Sequence, residues 1–300
     1  MMTLEQLRIF VAVAEREHVT QGARDLKLTQ SATSAAIAAL EARYATKLFD
    51  RVGRRVALTD AGRLFLPEAK AVLARAFAAE TVLADLAGLR RGSLILAASQ
   101  TVANYWLPPV IHRYQSRCPG ITIKLTIGNT ETVAAQVHEG VANLGFVEGA
   151  IENAMLSVES LGVDELVLVV PSDHPWTLHP PDPAKDFKTA RWVMREAGSG
   201  TRSILETTIA AFGVKIRDLD ISMEFPSNEA VRAAVEAGAG VTVISKLVAA
   251  SSLKAGTLVA VDVGLSKRQF FMLRHKERYV TQAERELLRL VTSLGSELQS

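Results

Sequence analysis

The 300-residue sequence predicts an α/β protein headed by a small all-α domain. Three features lead there. Two short helical patterns meet at a tight turn between Thr20 and Ser34, a heptad-spaced apolar seam runs through residues 59–88, and short apolar runs alternate with helical stretches from Ser93 onward. The first holds one helix proud of a small core, where it can enter a DNA groove. The second suits a coiled-coil contact. The third implies parallel sheets covered by helices on both faces.

Composition narrows the class. Hydrophobic residues make up 48% and charged residues 22%, as in ordinary globular proteins, and a net charge of +2 means that any DNA-binding charge is local. Met1-Met2-Thr3-Leu4-Glu5 has neither a basic nor an apolar signal region, and no apolar run reaches the roughly twenty residues of a membrane span. No membrane partner is expected, and the single Cys118 fits a cytoplasmic protein.

In the head, residues 1–58, Thr3 and Gln6 form a capping box for a helix with the apolar stripe Leu7, Phe10, Val11 and Ala14. Thr20 is expected to cap a second helix through Lys27, and Thr29 a third from Gln30 to about Tyr44. An inward face of Ala32, Ala36, Ile37 and Leu40 leaves Gln30, Ser31, Thr33 and Ser34 exposed at the helix start. Short polar side chains there suit base edges and phosphates. Arg51, Arg54 and Arg55 flank Gly53 between two extended segments, placed to lie on the phosphate backbone or reach into the minor groove.

Residues 59–92 read as a linker helix and hinge. Thr59 caps the helix, and Phe65, Ala69, Val72, Ala76, Ala79, Leu83 and Leu86 alternate by four and three. The seam is either a dimerisation arm or a face packed on its own domain. The arm is preferred, because no other segment supplies a matching apolar face. Pro67 is expected to kink the helix, and Leu89–Ser93 to act as the hinge.

Residues 93–300 alternate strands at 94–98, 121–127, 143–147, 165–170, 191–195, 219–224, 241–245 and 269–274 with helices at 102–117, 131–139, 202–212, 227–237 and 282–298. The runs fall into two lobes, 93–162 with 266–300 and 163–265, with a cleft between them. Ligand contacts in such a fold come from strand ends and helix starts. Those are Ser99, Gln100 and Thr101; Asn129 and Thr130; Glu148; Arg195, Ser199, Gly200, Thr201 and Arg202; and Ser227. Hydroxyls, helix-start N–H groups and an arginine make a sensible anion site. Ser99, Thr130 and Ser227 could each be a simple N-cap, and an arginine near Glu148 or Glu196 a structural ion pair. Taken as a group they favour a site.

From Thr20 to Gly62 the order of parts resembles the winged helix-turn-helix of the LysR-type transcriptional regulators. The resemblance covers essentially the whole chain and implies an effector domain like the periplasmic binding proteins. The phrases Gly128-Asn129-Thr130-Glu131, Phe146-Val147-Glu148-Gly149 and Arg195-Glu196-Ala197-Gly198-Ser199-Gly200-Thr201-Arg202 resemble the subgroup of sulfite-reductase activators and sulfite-responsive regulators. Regulators of carbon-dioxide-fixation genes share the last phrase. The resemblance implies a homodimer or homotetramer, promoter DNA and RNA polymerase as partners, and a small-anion effector, with sulfite the leading candidate. Ala35, Ala36, Ala38 and Ala39 stand where the wider family often has Arg or Lys, so a shallower salt dependence is expected.

A transport-type binding protein is disfavoured by the missing export signal and the DNA head, and a two-lobed enzyme by the lack of a catalytic constellation. Gly198-Ser-Gly-Thr201 lacks the Gly-Lys-Ser/Thr ending of a phosphate loop and the spacing of a nucleophile elbow. Neither a cofactor nor a metal is expected.

Overall fold

Thr3 and Gln6 cap each other at the start of α1 (Leu4–Arg16), with Gln6 N–H donating to Thr3 Oγ1 at 3.2 Å and Thr3 N–H to Gln6 Oε1 at 3.1 Å. The computed structural model describes residues 1–53, 55–86, 92–149, 151–265 and 267–297, with the side chains of 294–297 outside the description. The chain divides into two compact units, Met1–Ala87 and Gly88–Ser300.

In the first unit α2 (Val19–Asp25) and α3 (Gln30–Tyr44) follow α1, then the hairpin β1 (Phe49–Val52) and β2 (Arg55–Leu58), then α4 (Asp60–Leu86). Leu7, Phe10, Leu40, Leu48 and Ala69 form the main core, where Phe10 meets Phe49 and Phe65 with ring centroids 5.3 and 5.0 Å apart. Arg55 pairs with Val52 across a tight turn in which Gly53 has φ +63°, a conformation that favours glycine.

Glu41 fastens this hairpin to α3. Its side chain is largely buried, and its Oε1 accepts from the N–H groups of Leu48 (2.8 Å) and Phe49 (3.2 Å), while Lys47 Nζ bonds Oε2 at 2.8 Å. Drawing Glu41 inward sets the buried face of α3 to Thr33, Ile37, Leu40 and Glu41. That corrects the expected face. Ala32 is exposed, and Thr33 is fully buried with its hydroxyl unpartnered. Thr20 is corrected likewise: α2 begins at Val19 with His18 at the cap position, so Thr20 lies inside the helix.

Thr59 caps α4 as expected, accepting from Gly62 N–H at 3.0 Å. The helix runs through Pro67 without a break. Its heptad seam divides. Phe65 and Ala69 are spent on the unit's own core, while Val72, Leu83 and Leu86 are exposed.

In the second unit, β3 (Gly92–Ser99) is followed by a π-helical turn (Val102–Trp106), α5 (Leu107–Arg117), β4 (Ile121–Gly128), α6 (Thr130–Glu139), β5 (Leu144–Glu148) and β6 (Leu156–Asp164). Then come β7 (Leu166–Pro171), α7 (Pro183–Asp186), β8 (Arg191–Arg195), α8 (Gly200–Ala211), β9 (Asp220–Phe225), α9 (Asn228–Glu236), β10 (Thr242–Ser245), α10 (Lys246–Ala255) and β11 (Leu258–Val261). The chain closes with β12 (Arg268–His275) and α11 (Gln282–Glu297).

One lobe is built on a five-stranded sheet of order β4-β3-β5-β12-β6. Leu96, Tyr114, Phe146, Phe270 and Leu287 pack on one face, and Val133, Val137 and Leu273 on the other. The other lobe has the sheet β10-β7-β11 and the pair β8-β9, joined by a bridge between Trp192 and Val241. The sheets are mixed rather than parallel. β3 runs parallel to β4 and β5, but β12 is antiparallel to β5 and β6, and β7 to β10 and β11. The first crossing between lobes leaves from the end of β6 and the second enters at the start of β12. The strands that carry the crossings therefore run opposite to each other.

The expected helix 102–117 is also in two parts. Pro108 and Pro109 lack N–H donors, so the turn before them is wider, with Leu107 N–H donating to the Val102 carbonyl. Of the expected hinge, Leu89–Arg91 lie outside the described residues, as do Arg54 and Ser266.

Burial pushes the Glu41 carboxyl up, but the bonds from Lys47, Leu48 and Phe49 outweigh it and hold the group below its ordinary 4.5. A lowered carboxylate stabilises above its unfolded pKa and loses that contribution as pH falls through the lowered value. Glu41→Ala should destabilise the head by about 1–3 kcal/mol in urea unfolding at pH 7, by leaving two amides unpaired. The gap to the wild type should narrow as the solution is taken below pH 4.5.

Candidate DNA interface and effector cleft

Gln30, Ser31 and Ser34 are exposed on the first turns of α3, whose end is capped by Thr29 accepting from Ala32 N–H at 3.2 Å. Helix-start N–H groups left over by the Thr29 cap and the positive helix end thus accompany short polar side chains. Arg51 and Arg55 are exposed on the hairpin, and Arg54 is outside the described residues. Thr33, buried beneath this surface, has no route to a base or phosphate.

In the second unit the polar strand ends and helix starts converge between the lobes. Ser99, Thr101, Glu148, Arg195 and Thr201 are all almost fully buried. Two residues outside the expected set, Arg268 and Asp164, organise them. Arg268 Nε donates to Asp164 Oδ2 at 2.6 Å. Its Nη1 donates to Thr201 Oγ1 at 2.9 Å and lies 3.6 Å from Glu148 Oε1, and its Nη2 reaches Thr101 Oγ1 at 3.4 Å. Ser99 Oγ donates to Glu148 Oε2, and Ser245 Oγ to Asp164 Oδ1 at 2.7 Å. Burial pushes the Asp164 carboxyl above its ordinary 3.8, against the opposing pull of Arg268 and Ser245.

A second arginine extends the network. Arg195 grips Glu196 through two bonds of 2.7 and 2.9 Å and donates to Asn228 Oδ1. Burial raises the Glu196 carboxyl, but these bonds and one from Asn129 leave it lowered overall. Asn228 Nδ2 returns to Thr101 Oγ1 at 3.0 Å, and its N–H donates to Gln100 Oε1 at 2.8 Å. Gln100 also donates to the Pro226 carbonyl across the cleft.

Caps and contacts separate cleanly for some positions. Ser227 accepts from Ala230 N–H at 3.2 Å and serves as the N-cap of α9. Asn129 does both, accepting from Thr132 N–H at 2.9 Å and reaching Glu196 Oε1 at 3.3 Å in the other lobe. Arg202 departs from the cluster. It bonds Glu206 at 2.8 Å, Glu224 and the Arg195 carbonyl at 3.1 Å, all within its own lobe, while the ion pair expected at Glu196 is made by Arg195.

Thr130, Ser199 and Gly200 line a cleft of about 600 Å³ beside this network. Glu131, Glu139, Glu152 and Glu206 also line it, with His138 and, among the described residues, no lysine or arginine, so it is acidic. The positive groups lie in the buried network instead. Thr130 Oγ1 donates to the Glu148 carbonyl at 2.7 Å, and the start of α8 presses on the same carbonyl. A Cβ on Gly200 would meet that oxygen at 2.2 Å. Sequence spacing offered no signal for Arg268 or Asp164, which sit singly at the ends of strands.

We expect Gly200→Ala to cost about 1–3 kcal/mol in thermal unfolding, because backbone rather than a flexible side chain must yield. Gly162→Ala, whose Cβ would meet nothing within 4 Å, should stay within about 0.5 kcal/mol of the wild type.

Residues 4–63 match the bacterial regulatory helix-turn-helix protein family, lysR type, and residues 87–295 the LysR substrate binding domain. The chain is 34% identical over 289 residues to the uncharacterized HTH-type transcriptional regulator YeiE of Escherichia coli K12, covering 96% of each protein. It is 32% identical over 286 residues to a probable RuBisCO transcriptional regulator of Cyanidioschyzon merolae, covering 94% of each. The solved structure of full-length CbnR with its target DNA has the same fold, with a TM-score of 0.71 at 19% identity over 97% of this chain and 99% of that one. Neither of these relatives is described as a sulfite regulator. A DNA-binding head and a two-lobed substrate-binding domain in one continuous match leave one conclusion: the chain belongs to the LysR family of transcriptional regulators.

Proposed function

We propose that this regulator binds a two-fold promoter site through α3 and the hairpin and responds to a small anion held between the lobes, with sulfite the leading candidate. Gln30, Ser31, Ser34, Arg51, Arg54 and Arg55 are the DNA-contacting residues of this reading. Its support is the exposure of the described members on one small unit beside a helix N-terminus. The exposed Val72, Leu83 and Leu86 of α4 support a dimer, and pairing of dimers into a homotetramer is the assembly inferred. RNA polymerase is the partner through which transcription changes, and the cytoplasm is the compartment. No catalytic step is assigned.

The observation that carries the effector reading is the convergence of Ser99, Thr101, Thr201 and Arg268 between the lobes. Their hydroxyl and guanidinium donors suit an oxyanion, and Gln100, Asn129, Thr130, Arg195, Ser199 and Gly200 complete the surroundings. The Glu148 carboxylate already accepts from Ser99 and faces Arg268, so an anion enters only by displacing it or with a proton to share. The neighbouring acidic cleft disfavours a bare dianion, which restricts an anion to the buried donors. A ligand shifts the protein only as far as it binds one lobe arrangement better than the other.

A gel shift on the DNA upstream of its own gene tests the first half. Specific binding is expected, and Gln30→Ala with Ser34→Ala should weaken it at least about tenfold. Unchanged binding by the double variant would displace α3 as the reading helix. Thermal unfolding of the full chain with sulfite, sulfate, phosphate and acetate tests the second half. A true ligand at a hundredfold excess over its Kd stabilises by about 2.7 kcal/mol. No shift with any of the four would overturn the anion reading and leave the DNA reading standing.

A further inference from the structure

The lobes are connected at two places, after Asp164 at the end of β6 and before Arg268 at the start of β12, and these two residues are direct partners in the sheet register. Their side chains are also partners, through the 2.6 Å bond from Arg268 Nε to Asp164. The same guanidinium reaches Thr201 on α8 in one lobe and Thr101 and Glu148 in the other. Asp164, for its part, accepts from Ser245 at the end of β10 in the lobe opposite β6. One planar cation thus bonds both crossing strands and both cleft walls, with its side chain 2% exposed.

From this arrangement we infer that Arg268 is a positioning residue, the tie through which closure of the cleft is set at the hinge. The inference deepens the effector-responsive reading above and rests on it only for its consequence on DNA. The physical reason is geometric. When one lobe rotates about the two crossings, Arg268 and Asp164 stay paired because they lie on neighbouring strands at the pivot. The contacts to Thr101, Glu148 and Thr201 lie off the pivot, so rotation breaks them. The Thr201 and Thr101 hydroxyls, 2.9 and 3.4 Å from the two Nη atoms, are bridged directly by this fork. A lysine offers one point of charge and cannot span the same set. Asn228, which links Thr101 to Arg195, and Gln100, which links to α9, add closure bonds that do not touch the pivot. Losing Arg268 therefore loosens the cleft rather than unfolding either lobe.

Hydrogen exchange of the full chain, followed by mass spectrometry, tests this. Arg268→Met should speed exchange at least about tenfold in both cleft walls, residues 99–101 and 199–202, with residues 94–97 of β3 and the whole of β7 as protected as in the wild type. Arg268→Lys should not restore the walls. Thr201→Val keeps the Arg268–Asp164 pair and removes only the tie to α8, so it should loosen the same two segments and remains readable if Arg268→Met fails to fold. Faster exchange confined to the ends of β6 and β12 would overturn the proposal and leave the pair as a local strand clasp. So would uniform loss of protection in Thr201→Val, or full rescue by lysine. In footprinting on the DNA upstream of its own gene, Thr201→Val should give a protected length different from the wild type, and an identical footprint would refute the coupling to DNA. If the wild type binds no specific DNA, the regulator reading falls, while the exchange result still decides whether Arg268 ties the lobes.

Discussion

The buried bond between Arg268 and Asp164 is the constraint on which the second unit depends. It sits where both chain crossings meet, and each partner is almost wholly removed from water. A charge so placed is tolerated only when paired and hydrogen-bonded throughout, and stripping one partner typically costs about 3–5 kcal/mol. Ser245, Thr201, Thr101 and Glu148 supply the remaining bonds. Two lobes with separate cores, one around Phe146 and Phe270 and the other around Phe187 and Trp192, are thereby tied across a polar seam. Apolar burial builds each lobe, and the seam decides how they stand to one another.

The same division of labour recurs in the head. Phe10, Phe49 and Phe65 give the core its mass, but Glu41 decides which side of α3 turns inward. Because the carboxylate must reach the Leu48 and Phe49 amides, the helix presents Gln30, Ser31 and Ser34 outward and buries Thr33. In both units a buried charge fixes geometry that hydrophobicity leaves open.

These charges also mark where the sequence could be read and where it could not. The helix-turn-helix, the capping residues Thr3, Thr29, Thr59 and Ser227, and most strands of both lobes follow from local periodicity and cap chemistry, and they appear at or near their expected positions, while α6 is capped by Asn129 rather than Thr130. Thr33 departs from expectation by one residue of helix phase, since alanine-rich α3 carries little apolar contrast and a distant pair of amides sets its face, while the cap of α2 lies at His18 rather than Thr20. β6, α10 and β11 were not anticipated, because β6 is half polar and half exposed and β11 is only four residues long. The mixed strand directions depend on where the chain crosses between lobes, a global property that alternation does not encode. That Ser99, Thr101, Glu148, Arg195 and Thr201 lie at strand ends and helix starts is legible locally, because those positions are local signals. Arg268 and Asp164 were missed because their meaning arises only when residues a hundred positions apart become neighbours.

The most direct test of this account is a crystal structure of the full chain grown with sulfite. It should hold density for an oxyanion bonded by Ser99, Thr101 or Thr201 beside Arg268, with Glu148 moved from its place in the network. Density only in the acidic cleft lined by Glu131 and Glu206, or an undisturbed Arg268 network with no anion in it, would contradict the account.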